Sequence, residues 1–408
     1  MPTVTKSTSM RFSSSNKPHY SVQNNLVKRE VGYYSQINAN QIAFNKSELE
    51  PFHTPDNRTL RGRKWDVRKG YQSFHRKKYA LDESRARNLL LTAIKYEVDH
   101  GKGSVRPRIL CHSGFFGDVI NNSKESYDII DYQGQIIISS RDRRLNEDLL
   151  FAFIGIRFED LLKTNEPSIA TDSNYRHFKT LCEGTIGDSG KGFKYLSVTE
   201  IDSLLDSSKD PVNYTEIKLT VLKRFQWERL DHVNSTTFLK MALKARPWFN
   251  KQLLKWIVQC KYGMSSHLLL GLRDGDFHVR AIRSFDVEKE LIPFLRDYCK
   301  REYRQYEESV DKVIDVVGWI EEQIKESDGD KVYRLDIHEG DFVFSRLDEE
   351  ERRRVFDNVI IEEFKKWREG KENPLTGSEY IKEDAEEEED RKGDVEELRR
   401  KLERVYLR

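Results

Sequence analysis

The chain predicts an α+β domain, and three observations carry that reading. Short β-branched and aromatic runs recur along it, helical apolar stripes separate them, and several acids stand inside apolar runs of strand character. An unpartnered charge is costly to bury in such a run. The acids belong to Gly155-Ile156-Arg157-Phe158-Glu159, Glu200-Ile201-Asp202 and Glu216-Ile217-Lys218. In extended backbone alternate side chains share a face, so Glu200 lies with Asp202 and Glu216 with Lys218. Four carboxylates and one ammonium converging on a cleft are the parts of a metal-dependent phosphodiester hydrolase.

Bulk properties narrow the class. With 408 residues, 37% hydrophobic and 34% charged, the chain is globular and very polar. Its net charge is only +1, so a nucleic-acid surface has to be a local patch. Cys111, Cys182, Cys260 and Cys299 share no close spacing, which offers neither a CxxC metal site nor a disulfide framework. Reduced thiols fit the cytoplasm, with the nucleus as the other choice. No apolar run is long enough to span a membrane. The Ser/Thr-rich opening reads as a flexible tail over 1–24, with a targeting peptide as the alternative; a single domain follows over 25–369 and a charged, acidic tail over 370–408.

The elements follow in order. Val31–Tyr34 and Gln41–Phe44 read as extended pieces. From Arg58 to Lys78 there are nine Lys/Arg against one acid, Asp66, with Trp65, Tyr71, Phe74 and Tyr79 interleaved. Such a mixture holds single-stranded nucleic acid, or is a solvated loop whose aromatics tuck into the core. Asp82 to His100 reads as a helix, N-capped by Asp82, with Leu89, Leu90, Ala93, Ile94 and Tyr96 as its stripe and Gly101 as its stop. Ile109–Cys111 and Gln135–Ile138 are strands. His112 and Ser113 are neighbours on extended backbone and face opposite ways, so they make no nucleophile pair.

Leu149 to Leu162 carries Glu159, which taken alone would pair with Arg157 or cap the next segment. Gly184 to Gly192 lacks phosphate-loop spacing and reads as a hairpin loop. The turn signal Asp206–Pro211 sets Asp202 and Glu216 side by side on adjacent strands. Oxygen ligands of this kind favour Mg²⁺ or Mn²⁺ over zinc, and Lys218 would stabilise transition-state charge. Asp-(x13)-Glu-x-Lys resembles the core of the PD-(D/E)xK nucleases, although a charged chain also produces that pattern by chance.

Downstream, Asn250 to Cys260 is a helix presenting Lys and Gln on one side, with Gln259 either in a cleft or on plain surface. Leu268 to Val279 is a hairpin turning at Arg273–Asp276. Glu288 to Lys325 is helical with a break near Gly318, and Phe342–Phe344 is the final strand. Asp348 to Glu369 is a charged helix striped by Val355, Val359, Ile360 and Phe364. Glu379 to Glu397 holds eleven acids against three bases, which reads as a disordered segment or a solvated helix.

Taken together, GIRFE at 155–159, EID at 200–202, EIK at 216–218 and KQLLKWIVQ at 251–259 resemble the DXO/Rai family of RNA 5′-end decapping enzymes and 5′-3′ exoribonucleases. The hairpin LLLGLRDGDFHVRAI and the stretch ending in GYQSF add to the likeness, which covers about residues 25 to 345. The resemblance implies two twisted mixed β-sheets packed together with flanking helices, the active site lying in the cleft between them. It implies two divalent ions, Mg²⁺ or Mn²⁺, held by Glu159, Glu200, Asp202, Glu216 and the Ile217 main-chain carbonyl. Lys218 and Gln259 would meet the scissile phosphate or an attacking water, and Cys182 would lie on the substrate side.

One position departs from the family pattern. Ser113 stands where the family usually has an Arg that meets the RNA 5′ end, and Ser cannot replace a bidentate phosphate donor. That puts action on 5′-triphosphate RNA in doubt. It favours the fungal cytoplasmic branch, associated with release of the whole unmethylated cap and 5′ to 3′ degradation in mRNA quality control. The expected substrate is RNA with a 5′ cap or a 5′ monophosphate, and the expected state is a monomer. A PD-(D/E)xK-like DNA nuclease is one alternative, told apart by substrate preference. A catalytically weak RNA-binding activator of a partner exoribonuclease is the other, told apart by metal binding.

Overall fold

Strand backbone has to satisfy its donors and acceptors sideways, so the apolar runs of this chain are found paired. The computed structural model describes residues 6–12, 20–38, 41–55, 59–60, 62, 65–73, 86–105, 107–141, 149–163, 177–188, 190–222, 233–246, 248–325, 331–371, 373–376 and 380–381. The chain begins with β1 (Lys6–Arg11), α1 (Val22–Asn25), β2 (Leu26–Asn38), β3 (Gln41–Ala43) and α2 (Arg87–His100). It continues with β4 (Ile109–His112), α3 (Gly114–Asn121), β5 (Glu125–Tyr132), β6 (Gln135–Ser140) and α4 (Leu149–Lys163). Then come β7 (His177–Gly187), β8 (Gly192–Ile201), β9 (Ser203–Leu204), β10 (Tyr214–Val221), α5 (Ser235–Ala245) and α6 (Phe249–Tyr262). After β11 (His267–Arg273) and β12 (Val279–Asp286) lie α7 (Ile292–Tyr298), α8 (Lys300–Glu307) and α9 (Ser309–Lys325). The described chain closes with β13 (Val332–His338), β14 (Asp341–Arg346), α10 (Glu349–Val359), α11 (Glu362–Arg368) and β15 (Tyr380–Ile381).

These strands form an eleven-stranded sheet in the order β1-β14-β13-β5-β6-β4-β8-β7-β2-β3-β15 and a four-stranded sheet in the order β12-β11-β10-β9. Both are mixed: β4 runs parallel to β6 and β8, and β10 parallel to β11, among antiparallel pairs. The α+β class and the two-sheet architecture expected from the sequence are therefore present.

Alternation explains why the strands read as continuous apolar runs. Ile109 and Cys111 of β4, and Ile136 and Ile138 of β6, enter one core with α3, α6 and α9. Their neighbours Leu110 and Ile137 enter the opposite core with α2, α10 and α11. The small sheet repeats the device: Leu268, Leu270 and Leu272 face the first core, whereas Leu269 and Ile217 pack with Phe158 and Leu162 of α4. A strand covered on both faces has no polar side to show. The two sheets meet where Phe178, Ile201, Leu204 and Tyr214 cluster.

Several local expectations need correction. Glu159 lies on a helix, α4, not on a strand. The 288–325 segment does not break at Gly318; its breaks fall at Cys299 and Glu308, because buried Val316, Val317 and Ile320 hold α9 together across an open-sided glycine. The helix expected over 348–369 is two helices, separated where Ile360 takes an extended conformation (φ −89°, ψ 98°), although all four stripe residues are buried as anticipated. β14 is not the last strand, since β15 pairs with β3. Lys6–Arg11, placed in a flexible tail by the sequence, pairs with β14, and Arg11 forks onto the Asp341 carboxylate at 2.6 Å from both Nε and Nη2. Asp82 and the acidic run beyond 381 lie outside the described residues. Among the described residues no helix is long and apolar enough to cross a membrane.

Gly271 sits where β11 passes under α4, and a Cβ there would stand 2.3 Å from the Phe158 ring. Gly271→Ala is expected to lower stability by about 1–3 kcal/mol through overpacking. Denaturant unfolding checks this, and Phe158→Leu added to Gly271→Ala should cost less than the sum of the two single changes.

Candidate active site

β8 ends at Ile201, the chain turns at Asp202, and β9 begins at Ser203. Asp202 thus stands at the corner between the two sheets. β9 pairs with β10 only at Tyr214 and Thr215, so beyond that point this edge of β10 has no strand partner among the described residues. The Ile217 amide donates instead to the Asp202 carboxylate at 2.8 Å. A strand residue's N–H and C=O point to the same edge, so the Ile217 carbonyl also faces this cleft.

Glu216 and Lys218 flank Ile217 and share one face of β10. Lys218 Nζ donates to Glu216 Oε1 and lies 4.0 Å from the Asp202 carboxylate. Gln259, on the exposed Lys251–Lys255–Gln259 side of α6, donates from Nε2 to the same Glu216 oxygen at 2.5 Å. Glu159 comes in from α4 and feels the charges of Asp202, Lys163, Lys218 and Glu200. Among the described residues it forms no ion pair with Arg157. Glu200 occupies the outer end of β8 opposite Lys179, whose Nζ is 3.6 Å away.

The electrostatics show how crowded the carboxylates are. Burial, then the neighbouring Asp202, push the Glu159 carboxyl well above its ordinary range. The same two causes raise Glu216 to about 8, against the pull of Lys218. Burial works against the Lys218 charge, but Glu216 and Asp202 outweigh it and hold the ammonium firmly protonated. Burial would also raise Glu200, yet His177, Lys179 and Lys163 bring it down to about 2. Its side chain is 49% exposed, so solvent screening weakens that pull.

Two further devices fix the surroundings. The Glu30 carboxylate accepts from Tyr214 Oη (2.6 Å), Thr180 Oγ1 (2.8 Å) and Lys46 Nζ (2.9 Å), tying β2 and β7 of the large sheet to β10 of the small one. Lys28 of β2 donates to the carbonyls of Cys260, Lys261 and Gly263, capping the end of α6 next to Gln259.

The residue set fits a divalent cation. Four carboxylates and the Ile217 carbonyl edge face one cleft; Lys218 offsets Glu216 and Asp202, while Lys163, Lys179 and His177 help offset Glu159 and Glu200. Among the described residues no three His, Cys, Asp or Glu groups close around one point, because the Lys218 ammonium lies between Glu216 and Asp202.

A family model described as RAI1 like PD-(D/E)XK nuclease matches residues 28–365. The chain belongs to that family. Solved structures with the RAI1-like fold support the architecture. Rai1 of Candida albicans, solved with pU5 and Mn²⁺, is 17% identical, with a TM-score of 0.69 over 89% of this chain and 99% of its own. Rai1 of Scheffersomyces stipitis, solved with (3′-NADP)⁺ and a calcium ion, is 18% identical, with a TM-score of 0.66 over 90% of this chain and 98% of its own. K. lactis Dxo1, solved with manganese, is 15% identical, with a TM-score of 0.53 over 84% and 98%. No curated protein sequence matches the chain.

In this RAI1-like fold the sequence-derived residues separate into two groups. Glu159, Glu200, Asp202, Glu216, Ile217, Lys218 and Gln259 converge. Ser113 and Cys182 do not join them by any hydrogen bond among the described residues. Ser113 follows β4, its amide bonded to the Val198 carbonyl at 3.1 Å, on the same sheet margin as Glu200. Cys182 is fully buried between Ser197 of β8 and Glu30 of β2, so its thiol presents no surface to a substrate.

Of the basic patch, Trp65, Asp66, Arg68, Lys69 and Tyr71 are described; Arg58, Arg61, Arg63, Lys64, Phe74, Arg76, Lys77, Lys78 and Tyr79 lie outside the described residues. Trp65 and Tyr71 pack against the α4 core, as the solvated-loop reading has it. Lys28, Lys46, Lys179 and Tyr214 carry no mark of these roles in the sequence, because the roles depend on cross-strand register. Only the pairing of Lys179 with Glu200 had a local signal, opposite charges on the two arms of a hairpin.

Lys218→Met should destabilise the metal-free protein by about 3–5 kcal/mol, because it strands carboxylates that share one cation. A carboxyl whose folded pKa is raised loses stability as pH climbs from its unfolded value through its folded one. The deficit of Lys218→Met is therefore expected to widen from about pH 5 to pH 8, which denaturant unfolding in chelator at several pH values checks.

Proposed function

We propose that this chain is a divalent-metal-dependent hydrolase of RNA 5′ ends. It removes the whole cap from incompletely capped messenger RNA and then degrades the strand 5′ to 3′. The observation that carries the reading is the convergence of Glu159, Glu200, Asp202 and Glu216 with Lys218 and Gln259 at one corner between two sheets. Support also comes from the relatives: the Candida Rai1 complex holds pU5 and Mn²⁺, and K. lactis Dxo1 was solved with manganese.

A Mg²⁺ or Mn²⁺ ion bound by the four carboxylates and the Ile217 carbonyl would polarise the scissile phosphate and lower the pKa of an attacking water. Lys218 presents its ammonium at the same point and offers positive charge to the oxygens on which negative charge develops. Glu216 holds that ammonium in place, and Asp202 holds the backbone of β10. Gln259 has its amide nitrogen fixed on Glu216, and its carbonyl oxygen is the group that would accept a hydrogen bond from water or a ribose hydroxyl. Ser113 in place of a bidentate Arg leaves 5′-triphosphate ends without that grip and favours capped and monophosphorylated ends. Four free, buried cysteines suit a reducing compartment such as the cytoplasm.

Unmethylated-capped and 5′-monophosphorylated RNA, incubated with the protein with and without Mg²⁺ or Mn²⁺, should both yield product only when metal is present. No product from either RNA, or faster cleavage of the matching DNA, sinks the proposal. Asp202→Ala should lower both activities by about 10²–10³-fold or more, since one carboxylate serves the shared site. Mn²⁺ should raise the melting temperature of the parent and much less that of Asp202→Ala.

A further inference from the structure

A cavity of about 330 Å³ opens from Glu159 and Lys218 and continues along β10 to Thr220, Arg246, Gln252 and Arg273. Thr220 lies two residues beyond Lys218, on the same face of the strand and ~7 Å along it. That is close to the separation of successive phosphates in an extended nucleic-acid strand. We infer that Arg246 and Arg273 form a subsite for an RNA phosphate next to the scissile one, with Phe151 at its rim as a stacking surface for a base. The inference rests on the proposed RNA hydrolase and adds a place where the strand is gripped away from the carboxylates.

The two guanidiniums are built in, not loose. Arg246 Nη1 donates to Thr220 Oγ1 at 2.6 Å and to the Val221 carbonyl at 3.3 Å, and Thr220 Oγ1 reaches Gln252 Oε1 at 3.4 Å. Arg273 is 6% exposed, donates to the Asp274 carbonyl at 3.1 Å and lies 4.3 Å over the Phe277 ring. Among the described residues neither guanidinium pairs with a carboxylate. Asp274, the acid nearest Arg273, faces Arg280 at 3.9 Å and His278 at 3.7 Å. Burial, and then the charge of Arg246, push Arg273 below its ordinary pKa; burial does the same to Arg246.

Two partly desolvated cations facing one cavity, neither paired with a carboxylate among the described residues, are unfavourable alone and favourable around a phosphate, which takes bidentate guanidinium hydrogen bonds. Phe151 is 55% exposed on the same cavity wall, 5.9 Å from the Arg273 guanidinium. An exposed aromatic ring beside phosphate-binding cations is how single-stranded nucleic acid is held without sequence readout.

The test measures binding of a 5′-monophosphorylated, phosphorothioate penta-uridylate to the full chain in chelator, as a function of salt. Arg246→Gln should weaken binding about tenfold and reduce the salt slope by about one, the signature of one lost phosphate contact. Gln252→Glu, which puts a negative charge into the cavity, should weaken it as much or more. Phe151→Ala should weaken binding about fivefold or more with the slope unchanged. Parent-like affinity and slope for Arg246→Gln with an unchanged melting temperature overturns the subsite. If Arg246→Gln fails to fold, parent-like binding by Gln252→Glu and Phe151→Ala does the same. Failure of the parent to bind the RNA at all overturns the hydrolase reading instead, so the two failures are distinguishable.

Discussion

The hydrogen bond from the Ile217 amide to the Asp202 carboxylate is the constraint on which the rest of the molecule turns. The chain leaves the large sheet at Ile201 and enters the small one at Ser203, with one residue between. A two-residue strand cannot cover the whole edge of β10, so a side chain completes the pairing that backbone does not. The Lys218 ammonium lies 4.0 Å from that carboxylate, held there by Glu216. Sheet closure and cleft chemistry therefore use the same atoms. Few substitutions at Asp202 could spare one and remove the other.

Around this corner the interior is polar. Glu30, Lys46, Tyr214 and Thr180 satisfy one another behind the cleft, while Lys28 closes the end of α6. Buried charges of this kind are expensive, and each is met by several partners, as such groups require. The apolar cores lie above and below, organised by the alternation of β4, β6 and β11. Rigidity at the corner comes from hydrogen bonds; rigidity of its supports comes from packing.

Much of this was legible in the sequence because the acids sit in short motifs of fixed internal spacing. Glu216 and Lys218 share one face of a strand, and a turn signal brings Asp202 beside them, so periodicity and turn chemistry together join these three. Glu159 was placed in the right company but on the wrong kind of element. Ile154, Phe158 and Leu162 follow a helical period, yet the acid at 159 drew the eye to an extended reading. Gln259 was found through its helix face. Arg246 and Arg273 were not legible, since they come from segments 27 residues apart that meet only after β10 and β11 pair in parallel. The split of the 348–369 helix was hidden too: Ile360 breaks it by its backbone angles, whereas its side chain continues the apolar stripe.

The four thiols have a use that their chemistry does not suggest. All are buried, and desolvation holds each well above the ordinary thiol range, so in the closed molecule they are neither accessible nor nucleophilic. Three of them lie on elements that carry the site residues or pair with the strand that does: Cys111 on β4, Cys182 on β7 and Cys260 one residue from Gln259. A thiolate appears there only when the packing between the large sheet and α6 comes apart. The rate at which a soluble disulfide reagent labels the native protein is thus a clock for opening of that region.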